Sequence, residues 1–268
     1  VLRYWQTSND ARAAAMLRRF ILAWTHTYRL TGNDVNENKL FPLLVAYYSL
    51  RDCMKPDERV HVDAWVDQLG HLHAHAVAAA TRFTNRYSKH LRLLAIAGII
   101  LDREEWRAQA RDGVLLFVTQ SLRPDGTSED LERRDTLTYH ASALTPVIEL
   151  ALLARTNGIN VYTWTPGNGA SLRASVDYVV PYALGTTTRQ EWVHSTVDLD
   201  QRRAEAGLEK YRPGRLFDPH DALEVMQLAA CFDPGKLAVV RHLTGSAAQR
   251  FPAWPLLINA ALQRAHGQ

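Results

Sequence analysis

Residues 84–110 read TNRYSKHLRLLAIAGIILDREEWRAQA, and this stretch shows how the chain is organised. Its apolar residues recur at helical spacing on both sides of a short polar break. The same pattern covers most of the 268 residues, whereas alternating strand patterns are scarce. The sequence therefore predicts an all-α chain. The predicted helices are 10–29, 36–52, 59–80, 86–100, 103–121, 136–156, 169–184, 219–232, 235–244 and 253–265, separated by turns rich in Gly, Pro, Asn and Asp.

About ten helices of similar length, joined mostly by short loops, indicate antiparallel helix pairs stacked into a solenoid or toroid. No composition shift divides the chain, so we predict one domain over residues 1–268. One segment departs from the even spacing, and we call residues 185–218 the excursion. It reads GTTTRQEWVHSTVDLDQRRAEAGLEKYRPGRLFD and is long, polar and weakly periodic. Such a segment is typical of a functional loop, or of an insertion with its own short helix.

The amino-acid composition argues against some classes of binding partner. The chain has 31 basic and 28 acidic residues and a net charge of +3, without a basic block, so we predict no nucleic-acid partner. No apolar run is judged long enough to span a bilayer, so no membrane partner is predicted either. Cys53 and Cys231 are expected to be buried thiols, with a disulfide as the alternative. The chain opens VLRYWQTSND without an initiator Met. We expect a mature periplasmic or secreted form after signal removal, or a trimmed form.

The familiar catalytic signatures GxSxG, GxxxxGK[ST] and GxGxxG are absent from the sequence. The run HLHAHA contains His71, His73 and His75, of which the first and last share a helix face. A metal pair would fit that spacing, but no HExxH glutamate and no third ligand accompany it. We therefore predict neither a metal nor a cofactor, and expect these histidines to be solvated or hydrogen-bonded.

Polar chemistry is concentrated at two helix starts. Asn85, Arg86, Tyr87, Lys89 and His90 crowd the first turns of one helix. Helix capping by Asn85 or by the preceding threonine is the simpler explanation of such a cluster.

The second helix start, DLERRDTLTYHASAL at 130–144, places Arg133 and Arg134 ahead of Tyr139 and His140. Together with Asn85, an arginine and a tyrosine supply what β-elimination from a uronic acid requires. The cation and the amide neutralise the carboxylate, and the phenol exchanges a proton. Nearby cations should favour the phenolate form of Tyr139.

The run from TNRYSKHLRLLAIAGIILDREEWRAQA through RPDGTSEDLERRDTLTYHASALTPVIELALLARTNGINVY resembles the central region of the alginate lyase family and its relatives that act on other polyuronates. The family has an Asn-Asn-His tripeptide at a helix start, a DG turn, an Arg ahead of a Tyr, and an apolar helix ending in an NG turn. The resemblance covers about a third of the chain. It implies an incomplete (α/α) toroid of antiparallel helix pairs.

The resemblance also implies roles for individual residues. Tyr139 matches the catalytic tyrosine, Arg133 the substrate-binding arginine with Arg134 as competitor, and Asn85 the second asparagine. The family's histidine is replaced by Arg86, which is too basic to accept a proton. His90, one turn further on, is the candidate to fill its place. Three possibilities stay open: a lyase with Tyr139 as both base and acid, a lyase with a histidine from elsewhere, or an inactive relative that binds a polyuronate.

We therefore predict a polysaccharide lyase that acts by β-elimination on an acidic uronic-acid polymer such as polymannuronate or polyglucuronate, and that functions as a monomer. A catalytically inactive polysaccharide-binding homologue and a helical scaffold are the alternatives. The predicted catalytic residues are Tyr139, Asn85, Arg86, Arg133 and His90. The predicted substrate-binding residues are Arg134, His140, Tyr87, Lys89, Asn36 and Lys39. Weaker candidates are Tyr47, Tyr48, Trp192, Arg189 and Arg202.

Overall fold

The structure is a computed structural model that describes residues 1–155 and 160–245. The predicted helix 253–265 and the last residue of predicted helix 136–156 lie outside the described residues. The chain forms two compact units. Unit 1 comprises residues 1–81 and 89–113, and unit 2 comprises residues 82–88 and the described residues from 114 onward.

Unit 1 is built from helices. They are α1 (Leu2–Ser8), α2 (Ala11–Thr27), α3 (Asp34–Glu37), α4 (Phe41–Leu50), α5 (Pro56–Ala78), most of α6 (Asn85–Ile100) and the first part of α7 (Glu104–Ser121). The predicted helix 36–52 is divided, because Pro42 starts a new helix and 3-10 turns flank α4 at Asn38–Leu40 and Arg51–Cys53. Asn33 fixes the start of α3, where its side chain accepts hydrogen bonds from two backbone N–H groups.

Close packing in unit 1 explains a glycine in the middle of α5. A Cβ atom at Gly70 would lie 2.1 Å from the ring of Trp106 on α7. Any side chain at this position would therefore push the tryptophan out of the core. Tyr47 is 1% exposed and is a core residue, whereas the neighbouring Tyr48 is exposed.

A polar cluster is buried inside unit 1. His73 Nε2 lies 2.9 Å from Glu37 Oε2, and both side chains have no exposed surface. The other ring nitrogen, His73 Nδ1, lies 2.8 Å from His90 Nδ1. Glu37 Oε1 also accepts hydrogen bonds from the backbone N–H groups of Thr31 at 2.6 Å and Gly32 at 3.0 Å. We call Glu37, His73 and His90 the buried triad.

Unit 2 contains the remaining helices and two short strands. The helices are α8 (Glu129–Arg134), α9 (Leu137–Arg155), α10 (Leu172–Ala183), α11 (Asp198–Glu205), α12 (Leu223–Ala229) and α13 (Lys236–Thr244). Strands β1 (Gln190–Glu191) and β2 (Arg215–Leu216) pair antiparallel, with Gln190 opposite Leu216. Helices α10 and α12 pack on α9.

Helix α9 corrects the sequence-based statement that no apolar run is long enough to span a bilayer. It is long and apolar enough to cross a membrane by length and composition, but 61% of its apolar window is buried within the structure. It is the central helix of unit 2, and a core helix passes the same test of length and composition.

The excursion has its own short secondary structure, as predicted for this segment. It contains β1, α11, a 3-10 turn at Glu209–Tyr211 and β2. Helices α1 and α8 were not predicted, because each is too short for an apolar period to be recognised. Both cysteines are free, Cys231 is buried as expected, and Cys53 is exposed against expectation.

Candidate active site

The start of α9 is held in place by the excursion. Glu191 is fully buried, and its Oε1 accepts hydrogen bonds from the Thr138 N–H at 2.8 Å and from the Thr136 hydroxyl at 2.8 Å. A carboxylate at a helix N-terminus satisfies free N–H groups and opposes the helix dipole favourably. Tyr139 lies in this first turn, so its position depends on a contact with a residue more than fifty positions away in sequence.

The turn between α8 and α9 is a second anchoring point. Asp135 adopts a left-handed conformation with φ 49°. Its carboxylate accepts hydrogen bonds from Arg189 at 2.6 Å and from the His194 N–H at 3.0 Å. Its carbonyl accepts from the Trp192 N–H at 2.8 Å. Arg189 and Trp192 therefore hold the excursion on the turn, and Trp192, at 4% exposure, does not offer a stacking surface to a polymer.

Tyr139 is surrounded by aromatic and cationic groups. Arg134 Cζ lies 3.8 Å from the centre of its ring. The Tyr139 hydroxyl lies 3.3 Å from the hydroxyl of Tyr211, which comes from the excursion. Trp192 packs edge-on against the Tyr139 ring with 5.4 Å between centroids. We call Tyr139 and Tyr211 the tyrosine pair.

The two arginines near the tyrosine pair are not equivalent. Arg134 makes a bidentate ion pair with Asp200 of α11, in which Asp200 is only 2% exposed. Its charge is therefore matched within the protein. Arg203 lies 4.7 Å from the Tyr211 ring centre and 4.0 Å from Asp200, and its side chain is 32% exposed. Arg203 thus offers more of its charge to a ligand than Arg134 does.

The protonation of Tyr139 differs from the sequence-based expectation. Burial raises the pKa of Tyr139 to about 12, and the hydrogen bond with Tyr211 adds to the rise. The charge of Arg134 acts in the opposite direction. It is too weak to prevail because Asp200 neutralises it. The expectation that nearby cations favour the phenolate is therefore wrong for this structure.

The arginine that contacts Tyr139 is Arg134, although Arg133 was the first choice from the sequence. The guanidinium of Arg133 lies 3.8 Å from Glu129, one turn earlier on α8. The backbone carbonyl of Arg133 accepts a hydrogen bond from the Thr196 N–H at 2.8 Å. Substrate binding by the Arg133 side chain stays a prediction.

Asn85 is placed close to α8, but not with its amide at the surface. Its backbone N–H donates to the Asp130 carboxylate, and the residue is 2% exposed. Its side-chain oxygen is buried without a hydrogen-bond partner. The structure therefore gives Asn85 a supporting contact with α8, and a direct contact with a substrate carboxylate is not available to the buried amide.

The other predicted residues of this helix start have different positions. Arg86 is exposed, and Lys89 is partly exposed in unit 1. Tyr87 is 3% exposed and packs edge-on against Phe83, so its predicted substrate contact is wrong because the ring belongs to the core. His90 is in unit 1 as part of the buried triad, with its side chain 13% exposed. The structure thus gives His90 a structural contact, and its catalytic role stays a prediction.

His140, next to the catalytic candidate, points the other way and is fully buried. Its Nδ1 lies 2.7 Å from the Ser128 hydroxyl, and its Nε2 lies 3.1 Å from the Ser175 carbonyl. Burial lowers the pKa of His140 to about 4, so the ring is neutral near pH 7. The predicted substrate contact of His140 is therefore wrong, since the side chain links three elements of the core.

Two predicted binding residues and the histidine run belong to unit 1. Asn36 and Lys39 line a surface pocket, whose other residues are described below. His73 lies in the buried triad, and His71 contacts Asp67 at 3.5 Å. Within the described ranges, no group of three or more His, Cys, Asp and Glu side chains is arranged to hold a metal ion.

Sequence reasoning missed Arg203, Tyr211, Asp200 and Glu191. All four are in the excursion, which the sequence analysis identified as a polar segment without singling out these residues. The nearest available signal was the acidic and basic pattern of α11, where Asp200 and Arg203 share a helix face at i, i+3 spacing.

The comparison with known protein families covers only the first part of the excursion. A family model described as alginate lyase matches residues 2–192. Arg203 and Tyr211 therefore lie beyond the matched range. No curated protein sequence matches the chain.

A solved structure matches the fold. It is the crystal structure of an alginate lyase from Bacteroides ovatus, with a TM-score of 0.50 and 14% sequence identity. The match covers 87% of this chain and 70% of that chain. Together with the helical content, this likeness confirms the predicted fold class, an all-α toroid.

Proposed function

We propose, because the chain belongs to the alginate lyase family, that it is a polysaccharide lyase that cleaves an acidic uronic-acid polymer by β-elimination at Tyr139. The observation that supports this best is the surroundings of Tyr139. A half-buried phenol lies beside a second hydroxyl, one neutralised arginine and one arginine with exposed charge. Such polymers lie outside the cytoplasm, so a periplasmic or secreted location is part of the proposal.

In the proposed reaction, Tyr139 carries out two proton transfers. As phenolate it takes the proton from C5 of the uronate, and the electron pair forms the double bond between C4 and C5. The bond between C4 and the glycosidic oxygen breaks, and the leaving oxygen takes the proton from Tyr139. The phenolate is thereby restored. One group can serve both steps when proton and leaving group lie on the same face of the sugar, which favours mannuronate- or glucuronate-like units.

Charge has to be neutralised on the carboxylate while the C5 proton leaves, because the intermediate resembles an enolate. Arg203 suits this role better than Arg134, since the carboxylate of Asp200 already occupies Arg134. An anion bound at Arg203 would lie near the tyrosine pair. Arg86 replaces the family's histidine and cannot accept a proton, so the base in this proposal is Tyr139.

The test is incubation with polymannuronate, polyguluronate and polyglucuronate, followed by ultraviolet absorbance of the conjugated double bond. We expect absorbance to rise with at least one of the three polymers. A flat signal with all three would contradict the proposed lyase activity. If binding is then still measurable, an inactive polysaccharide-binding homologue is the function that remains.

Tyr211→Phe tests the tyrosine pair. Because the bond with Tyr211 raises the pKa of Tyr139, its removal should lower that pKa. The phenolate fraction grows with pH below the pKa, so activity should rise toward alkaline pH in the wild type. In Tyr211→Phe this rise should begin at lower pH. The measurement is the pH profile of kcat/KM, and an unchanged profile would mean that Tyr211 does not influence the base.

A further inference from the structure

Unit 1 contains a pocket whose lining residues are given no role in the proton transfers proposed above. Its volume is about 420 Å³, within the range of roughly 300 to 1,000 Å³ that is usual for small-molecule sites. The lining residues are Trp24, Tyr28, Asn36, Lys39, Leu40 and Leu43. All six belong to unit 1, so the pocket is complete within that unit.

One wall of the pocket is aromatic. Trp24 is 42% exposed, although tryptophan is usually well buried. Its ring lies 5.9 Å from the Tyr28 ring, with a 52° angle between the planes. The backbone at Tyr28 is fixed, since its carbonyl accepts a hydrogen bond from Trp65 Nε1 at 3.1 Å. The exposed indole is a flat surface, which suits stacking against the C–H face of a sugar ring.

The opposite edge is polar and cationic. Asn36 is on α3, and Lys39 is in the 3-10 turn that follows it. Both side chains are exposed, and Lys39 makes no ion pair with any described residue. The same short segment turns Glu37 inward to the buried triad, which fixes the backbone that presents Asn36 and Lys39. A cation without a counter-ion beside an aromatic wall is complementary to a ring that carries a carboxylate.

We propose that this pocket is a binding site for one uronate unit of an acidic oligosaccharide. The sugar ring stacks on Trp24, the carboxylate pairs with Lys39, and the Asn36 amide hydrogen-bonds a hydroxyl or carboxylate oxygen. The choice of a uronate as ligand rests on the proposed function. The existence of an anionic, ring-shaped ligand rests on the pocket alone.

The experiment follows the Trp24 indole N–H in a two-dimensional NMR spectrum of ¹⁵N-labelled protein. The chain has seven tryptophans, and the signal of Trp24 is the one that disappears in Trp24→Phe. The Tyr139→Phe variant is used throughout, so that the probe is not cleaved. The probe is a saturated oligomannuronate, with a neutral mannose oligosaccharide of the same length for comparison. We expect the Trp24 signal to shift saturably with the oligomannuronate only.

Lys39→Met keeps the side-chain length and removes the charge. We expect it to weaken the titration about tenfold, as is typical for a charge-assisted hydrogen bond. Lys55→Met is the matched control, because Lys55 is an exposed lysine of unit 1 outside the pocket, and it should titrate as its parent does. The proposal is overturned if the signal stays still, if both sugars shift it equally, or if Lys39→Met titrates like Lys55→Met. Cleavage is scored separately in the wild type, so a failed pocket and a failed lyase proposal give different results.

Discussion

Tyr139→Phe should lower kcat by a factor of about 10² to 10⁴, which is the usual contribution of a positioned acid or base. The substitution removes only the hydroxyl, so the contacts of the ring with Arg134 and Trp192 can persist. Affinity for the polymer should therefore be nearly unchanged, and the loss should appear in kcat rather than in KM.

The matched control for this experiment is Tyr178→Phe. Tyr178 on α10 is also half-buried in unit 2, also packs beside a second tyrosine, Tyr182, and also has a pKa raised to about 12 by burial. It lies beside the core residue His140. We expect this variant to keep its activity, which would separate the chemistry of Tyr139 from the general loss of a buried hydroxyl. Comparable activity in the two variants would rule out Tyr139 as the proton-transfer group.

His73→Ala should destabilise the protein by about 3 to 5 kcal/mol, the usual cost of removing one partner of a buried pair. Without His73, the Glu37 carboxylate would stay in the core with only its Thr31 and Gly32 contacts. The imidazole also fills space, and its loss leaves a cavity. The measurement is the free energy of unfolding from denaturant titration.

His75→Ala provides the comparison. His75 lies two residues further along α5 and is exposed, so the same substitution should change stability by only about 0.5 kcal/mol or less. If the two variants unfold alike, the buried triad does not stabilise unit 1.

The loss of stability at acidic pH is an independent test of the buried triad. Burial acts to raise the pKa of Glu37, but the contacts with His73 and with Thr31 outweigh it and hold the pKa below its usual 4.5. A depressed carboxyl pKa contributes stability that is present above the unfolded pKa and is lost as pH falls through the folded one. The wild type should therefore lose stability below about pH 4.5, and Glu37→Gln should lose less over that range.

The helices were predictable because each amphipathic period is local to its own segment. Helices α5, α6 and α7 begin and end near turn residues that any reader of the sequence can find. The predicted helix 36–52 is divided because Pro42 starts a new helix, and this effect of a proline is also local. Helix α8 was missed since six residues do not complete two turns.

The site was predictable only in part, for geometric reasons. Arg133 and Arg134 are adjacent in sequence but about 100° apart around a helix, so a motif cannot tell which one faces Tyr139. The same offset separates Tyr139, which meets Tyr211, from His140, which faces the core. The contacts with Tyr211 and Asp200 join residues more than sixty positions apart, and only the folded chain brings them together.

The division of the site between α9 and the excursion has an evolutionary consequence. The proton-transfer residue is on the central helix of unit 2, where most substitutions would disturb the core. Arg203 and Tyr211 are on a surface segment held by a small number of polar anchors at Asp135 and Glu191. Surface segments tolerate insertion and substitution better than core helices. Descendants of this chain can therefore acquire a new polymer preference through substitutions in the excursion between these anchors, while they inherit the same reaction.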